Sequence, residues 1–126
     1  MEKTLKVFEL RLFADEFFSC WEKYKTSLKL GGKALYNLIG LKKELEKQLM
    51  QTQETIITMA EQYGGQPDGK GNYQIPTEHQ AEAHKKMNEF AEQEIVVQYS
   101  PIVIKESDEL NPELLDLLFN YIEFAE

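Results

Sequence analysis

The chain has one cysteine, one arginine and two histidines in 126 residues. No apolar run approaches the roughly 18–20 residues that span a bilayer. Each scarcity excludes something. A single cysteine, Cys20, rules out an intramolecular disulfide and fits a reducing compartment, most simply a cytoplasm. A single arginine, Arg11, is sparse for a phosphate site, where guanidinium forks do much of the holding. His79 and His84 are five apart, so one helix carries them on different faces, unlike the i, i+4 pair that shares a zinc. Glu78, His79 and Glu82 then read as a solvated turn rather than a metal cluster. The opening Met1-Glu2-Lys3-Thr4-Leu5 has no signal-peptide apolar core. The expectation is a chain with no metal, no cofactor and no membrane segment.

What is present suits one folded domain over residues 1–126: 42% of residues are hydrophobic and 29% charged. The net charge of −8 is unevenly placed. Residues 1–50 carry 10 basic against 7 acidic side chains, and residues 51–126 carry 4 against 15. No basic face of the size that phosphate neutralisation needs is expected, so direct nucleic-acid binding is not. Opposite charge in the two halves permits copies to pack head to tail.

The middle of the chain spells a helical hairpin over residues 33–93. Leu35, Leu38, Leu45, Leu49, Ile56, Met59 and Tyr63 fall on one heptad-like stripe, with Lys42 and Thr52 in its polar slots. The spacing predicts a helix over Lys33–Tyr63, about 45 Å long. That exceeds the width of a small domain, so the helix is expected to project or to pair with a second subunit. Gly40 marks a candidate bend, and Gly64-Gly65 supplies a left-handed terminus. After the loop, Thr77 with Gln80 forms a capping box that starts a second, antiparallel helix over Glu78–Gln93. Ala83, Met87 and Phe90 form its inner face.

The flanks read as a small sheet and a last helix. Leu5 and Val7, then Phe8, Leu10 and Leu12, alternate with polar residues, which predicts a strand over Lys3–Phe13. The alternation changes parity between Val7 and Phe8, as a bulge, a doubly buried strand or a helix would produce. A helical spacing through Leu10, Phe13, Phe17, Cys20, Trp21, Tyr24 and Leu28 competes with it. A short helix is placed at Asp15–Lys25. Ile95-Val96-Val97 and Ile102-Val103-Ile104 are β-branched segments, both natural partners for the N-terminal strand. Asn111 caps a final helix with Pro112 at its first position, and Leu114, Leu115, Leu118, Tyr121 and Ile122 form its buried face. The fold class is α+β: a long antiparallel helical hairpin inserted into a small, mostly antiparallel sheet, with a C-terminal helix.

Motifs that carry chemistry are tempting and incomplete. Gly64 to Lys70 spells G-x-x-x-x-G-K, but Gly71 stands where a magnesium-holding hydroxyl belongs, and a helix rather than a strand precedes it. Asp68, Lys70 and Asn72 mimic a calcium loop, but His79 takes the place of its bidentate acid. Cys20, beside Phe17 and Trp21, has the setting of a core thiol. The acids Glu106, Asp108, Glu109, Glu113, Asp116, Glu123 and Glu126 form a dense run that could imitate nucleic-acid phosphates. Tyr73 is the best candidate for an exposed aromatic contact.

Several runs carry a resemblance. Leu28-Lys29-Leu30-Gly31-Gly32-Lys33-Ala34-Leu35-Tyr36, Glu61-Gln62-Tyr63-Gly64, Gly71-Asn72-Tyr73, and Glu94-Ile95-Val96-Val97 through Leu110-Asn111-Pro112-Glu113-Leu114-Leu115 resemble small uncharacterised proteins of tailed phages and prophages. The likeness covers roughly residues 25–120 and its motifs are structural. Family members often have Leu-Pro where this chain has Leu30-Gly31. The resemblance implies a phage protein in the cytoplasm of a bacterial host or in the virion, and carries no active-site residue.

The expected function is non-enzymatic: contact with a phage or host protein and with copies of itself. Leu38, Leu45, Leu49, Ile56, Met59, Tyr63 and Tyr73 are the expected contact residues. Two alternatives stand beside it. One is a protein that sequesters a nucleotide signal against host defence, with Lys42, Lys43, Lys70 or Arg11 meeting Tyr36, Tyr73 or Trp21. The other is an acidic mimic that inhibits a nucleic-acid-binding protein.

Overall fold

The parity change at Val7 is the end of a strand. In the computed structural model, which describes residues 1–125, β1 (Glu2–Lys6) runs directly into α1 (Val7–Tyr24). The expected strand over Lys3–Phe13 is therefore corrected beyond Lys6. Helical spacing wins there because Val7, Leu10, Ala14, Phe17 and Cys20 fall on one side and are all buried. The Lys6 amide donates to the Glu9 carboxylate at 3.0 Å, which satisfies an amide at the helix start.

The long helix is α2 (Gly32–Gln62), 31 residues and about 46 Å. Its end is a Schellman turn. Gly64, at φ 76°, donates to the Glu61 carbonyl at 3.0 Å, and Gly65 donates to the Ala60 carbonyl at 2.8 Å. Two short strands, β2 (Gln66–Pro67) and β3 (Tyr73–Gln74), then pair antiparallel and close the tip. The return helix is α3 (Thr77–Ala91), preceded by Pro76 and without a side-chain cap. The expected capping box is thus corrected: Gln80 donates to the Ile75 carbonyl at 3.0 Å.

Only one of the two β-branched segments pairs with the N-terminal strand. β4 (Glu94–Gln98) runs antiparallel to β1, from Glu2↔Gln98 to Lys6↔Glu94. β5 (Ile102–Ile104) instead pairs in parallel with β6 (Ile122–Phe124). Among the described residues, three two-stranded ladders, one of them parallel, replace the expected single sheet. Between them lies α4 (Pro112–Leu117), where Asn111 accepts from the Glu113 amide at 2.9 Å as expected. The helix is shorter than its apolar residues indicated. A 3-10 turn over Phe119–Tyr121 follows, and Ile122 belongs to β6. The reason is local: Leu118 and Tyr121 already reach the core, and β5 offers Ile122 a backbone partner.

The α+β class stands. Leu10, Phe17, Leu38, Leu41, Leu45, Val97, Ile102, Leu114 and Leu118 are fully buried in one cluster joining α1, α2, β4, β5 and α4. Along α2 that cluster stops at Leu49, which packs on its margin. Beyond it lies an arm of α2 and α3, whose fully buried residues are the small Thr52, Ala60 and Ala83. No described helix is long and apolar enough to cross a membrane.

Candidate functional site

The heptad stripe of α2 divides by depth. Leu38 and Leu45 are fully buried with Phe17, Ile102 and Leu114. As contact residues for another chain they are corrected, because the protein's own core occupies them. Leu49 is half-buried at the core margin, and Ile56, Met59 and Tyr63 are half-buried in the arm. Tyr63 faces α3: its ring lies 6.4 Å from that of His79, and the Lys86 ammonium stands 6.0 Å from its centroid. Tyr73 is half-buried in β3. Lys42 turns sideways, ion-paired with Glu46 and 5.8 Å from the Trp21 ring.

The opposite side of α2 is different. Tyr36, Gly40, Lys43, Lys47, Met50, Glu54, Thr58 and Glu61 are all exposed. At 100° per residue they fall within an arc of about 80°. Tyr36 is 71% and Met50 72% exposed. Their spacing is the same 3, 4 repeat as the apolar stripe, turned half-way round the helix. A search for apolar repeats passes it by, because most of its side chains are charged or small.

At the tip, Asp68 explains why the phosphate-loop pattern carries no phosphate cradle. Its Oδ1 accepts from the Lys70 amide at 2.7 Å and from the Asn72 amide at 3.2 Å. A carboxylate already holds the amides that would face an anion. Beside it lies an open hollow of about 690 Å³ lined by Tyr73, Ile75, Pro76, Gln80 and His84. Among the described residues, no three His, Cys, Asp or Glu side chains gather closely enough to hold a metal ion.

Cys20 lines a second, open hollow of about 440 Å³ together with Glu16, Glu113 and Asp116. Burial, and then the Glu113 charge, push its thiol pKa up. A thiol held protonated is a poor nucleophile. Tyr121 behaves alike: burial, then neighbouring Tyr99, pushes its hydroxyl up to about 12. The two rings are 4.8 Å apart, edge to face.

Much of the acidic run is engaged inside the chain. Asp108 accepts from the Lys105 and Gly31 amides, both at 2.9 Å, and these bonds lower its pKa below the usual carboxylate value. Glu109 lies 3.5 Å from Lys29, and Glu113 accepts from the Tyr24 hydroxyl at 2.7 Å. Glu106, Asp116 and Glu123 are exposed, and Glu126 lies outside the described residues. The groups considered for a nucleotide are scattered. Lys42 meets Trp21 beside the core, Tyr36 and Lys43 share the outer face of α2, and Lys70 and Tyr73 stand at the tip.

Compared with family models, with curated proteins and with solved structures, the chain matches none.

Proposed function

We propose that this chain is a non-enzymatic phage or prophage protein that works by protein–protein contact, associating with itself through its helical hairpin. The observation that carries this reading is the arm. Past Leu49, α2 leaves the main core, and the full outer face of a 31-residue helix stays in solvent. A rod of this length keeps one face along its whole length free of the fold's own packing, where another chain can lie. The phage assignment rests on the resemblance in residues 25–120, and with it come two locations, the host cytoplasm and the virion.

Sedimentation velocity tests the reading. At high micromolar concentration the wild-type chain is expected to sediment as a dimer or larger species. A strict monomer there removes the self-association on which the reading depends.

A further inference from the structure

We infer that two copies pair antiparallel along the outer face of α2, with the two-fold axis beside Met50. The inference rests on the self-association just proposed and names the surface and the geometry.

Along the exposed arc, Lys43 and Lys47 precede Met50, and Glu54 and Glu61 follow it. Among the described residues none of these four charges is ion-paired within the chain, so all four are free to meet a second copy. A face that runs basic to acidic is complementary to its own reverse. Turned about Met50, Lys47 of one copy falls opposite Gln53 of the other, next to Glu54, and Lys43 falls opposite Ile57, about one turn from the second copy's Glu61. A parallel, in-register pair would set Lys against Lys and Glu against Glu. Isologous pairing also closes, so it gives a dimer rather than a fibre.

Two further features fit the same axis. Met50 is 72% exposed and meets its own copy, removing a large apolar side chain from water at the centre of the contact. Gly40 lies inside the helix where Ala would be favoured by about 1 kcal/mol, and a Cβ built there meets nothing within 4 Å. The chain's own fold therefore does not require a glycine, while a second helix lying along this face gains room beside it. Acids on the same arc also argue against a polyanion as the occupant.

The strip is narrow. About 38 Å by about 10 Å gives roughly 400 Å² a side, half of the roughly 800 Å² of a standard interface. Association is thus expected at high micromolar concentration and to weaken with salt.

Charge reversal tests the geometry, because every substituted residue is exposed and folding is readily checked by circular dichroism. K43E/K47E and E54K/E61K variants are each expected to dimerise about 100-fold more weakly, since four cross-pairs are lost by symmetry and turned repulsive. Mixed in equal amounts, the two are expected to form a heterodimer at least as tight as wild type. A Met50→Cys variant in a Cys20→Ser background is expected to form a disulfide-linked dimer, and Tyr36→Cys is not. Wild type that associates while both charge variants associate equally well overturns this face and leaves the self-association standing. Wild type that never associates overturns both.

Discussion

In the body of the protein, α2 sets Leu38, Leu41 and Leu45 against Phe17, Ile102 and Leu118, all fully buried. In the arm, the same helix sets Thr52 and Ala60 toward α3, whose one fully buried residue is Ala83. A buried leucine or phenylalanine contributes about 1.5–3 kcal/mol through area removed from water, and an alanine much less. The body is thus held by fully buried large side chains, and the arm by small buried residues with half-buried ones such as Ile56 and Met59 around them. Small residues allow close approach but supply little energy, so the arm belongs to the part of the molecule that opens first. One helix spans both regimes, and its outer face is left to solvent throughout.

The largest effect that separates the two regions is expected at Phe17. It is fully buried and stacks on Trp21 with centroids 6.3 Å apart. Phe17→Ala should cost about 3–5 kcal/mol, a large share of the roughly 5–15 kcal/mol that holds such a domain. Urea denaturation followed by circular dichroism reads it. A loss below about 1 kcal/mol would mean that the body is not where the stability resides.

A smaller and local effect is expected at Gly65. A Cβ there would lie 2.6 Å from the Ala60 carbonyl oxygen, the same oxygen that accepts the Gly65 amide. The terminus of α2 must open to admit it. Gly65→Ala should cost about 2 kcal/mol, with the damage confined to the arm. Amide exchange distinguishes the outcomes: α3 amides should lose protection while those of β4 and the body end of α2 keep theirs. Equal loss in both regions would show that arm and body unfold as one unit and that the division is only geometric.

The same contrast explains what was legible in the sequence. The two hairpin helices, α2 above all, are visible within a residue or two of their ends. The Asn111 cap and the Gly64-Gly65 terminus are visible because each requires a particular side chain or its absence. The strand expected through Phe13 failed because Leu10 fits both the alternation with Phe8 and Leu12 and the helical spacing to Phe13 and Phe17, and only packing against α2 and α4 decides between them. The parallel β5–β6 ladder was hidden, since nothing local in three residues says which distant strand they meet. Two of the expected contact residues, Leu38 and Leu45, failed differently. An apolar stripe marks burial, but does not say whether the chain itself or another copy does the burying, and for Leu38 and Leu45 the chain does. The outer face proposed for pairing was hidden because its charges matter by their order along α2, which a count of charges erases.

The smallest effect is expected from pH, and it acts on the body alone. Asp108 clasps the start of α2 to the loop before α4 by accepting from the Gly31 and Lys105 amides at 2.9 Å. These bonds lower its folded pKa below the usual 3.8. A depressed carboxylate contributes stability that is present above the unfolded value and is lost as pH falls through the folded one. The carboxylate is solvent-exposed, so water screens much of the gain. Denaturation midpoints at pH about 6 and about 2.5 should therefore differ less in Asp108→Ala than in wild type, with the variant already weaker at the higher pH. Arm amides should exchange alike in both proteins, because the clasp sits at the far end of α2 from the Schellman turn. An identical pH dependence in variant and wild type would show that the clasp adds nothing to the body, and would leave its stability to the buried side chains alone.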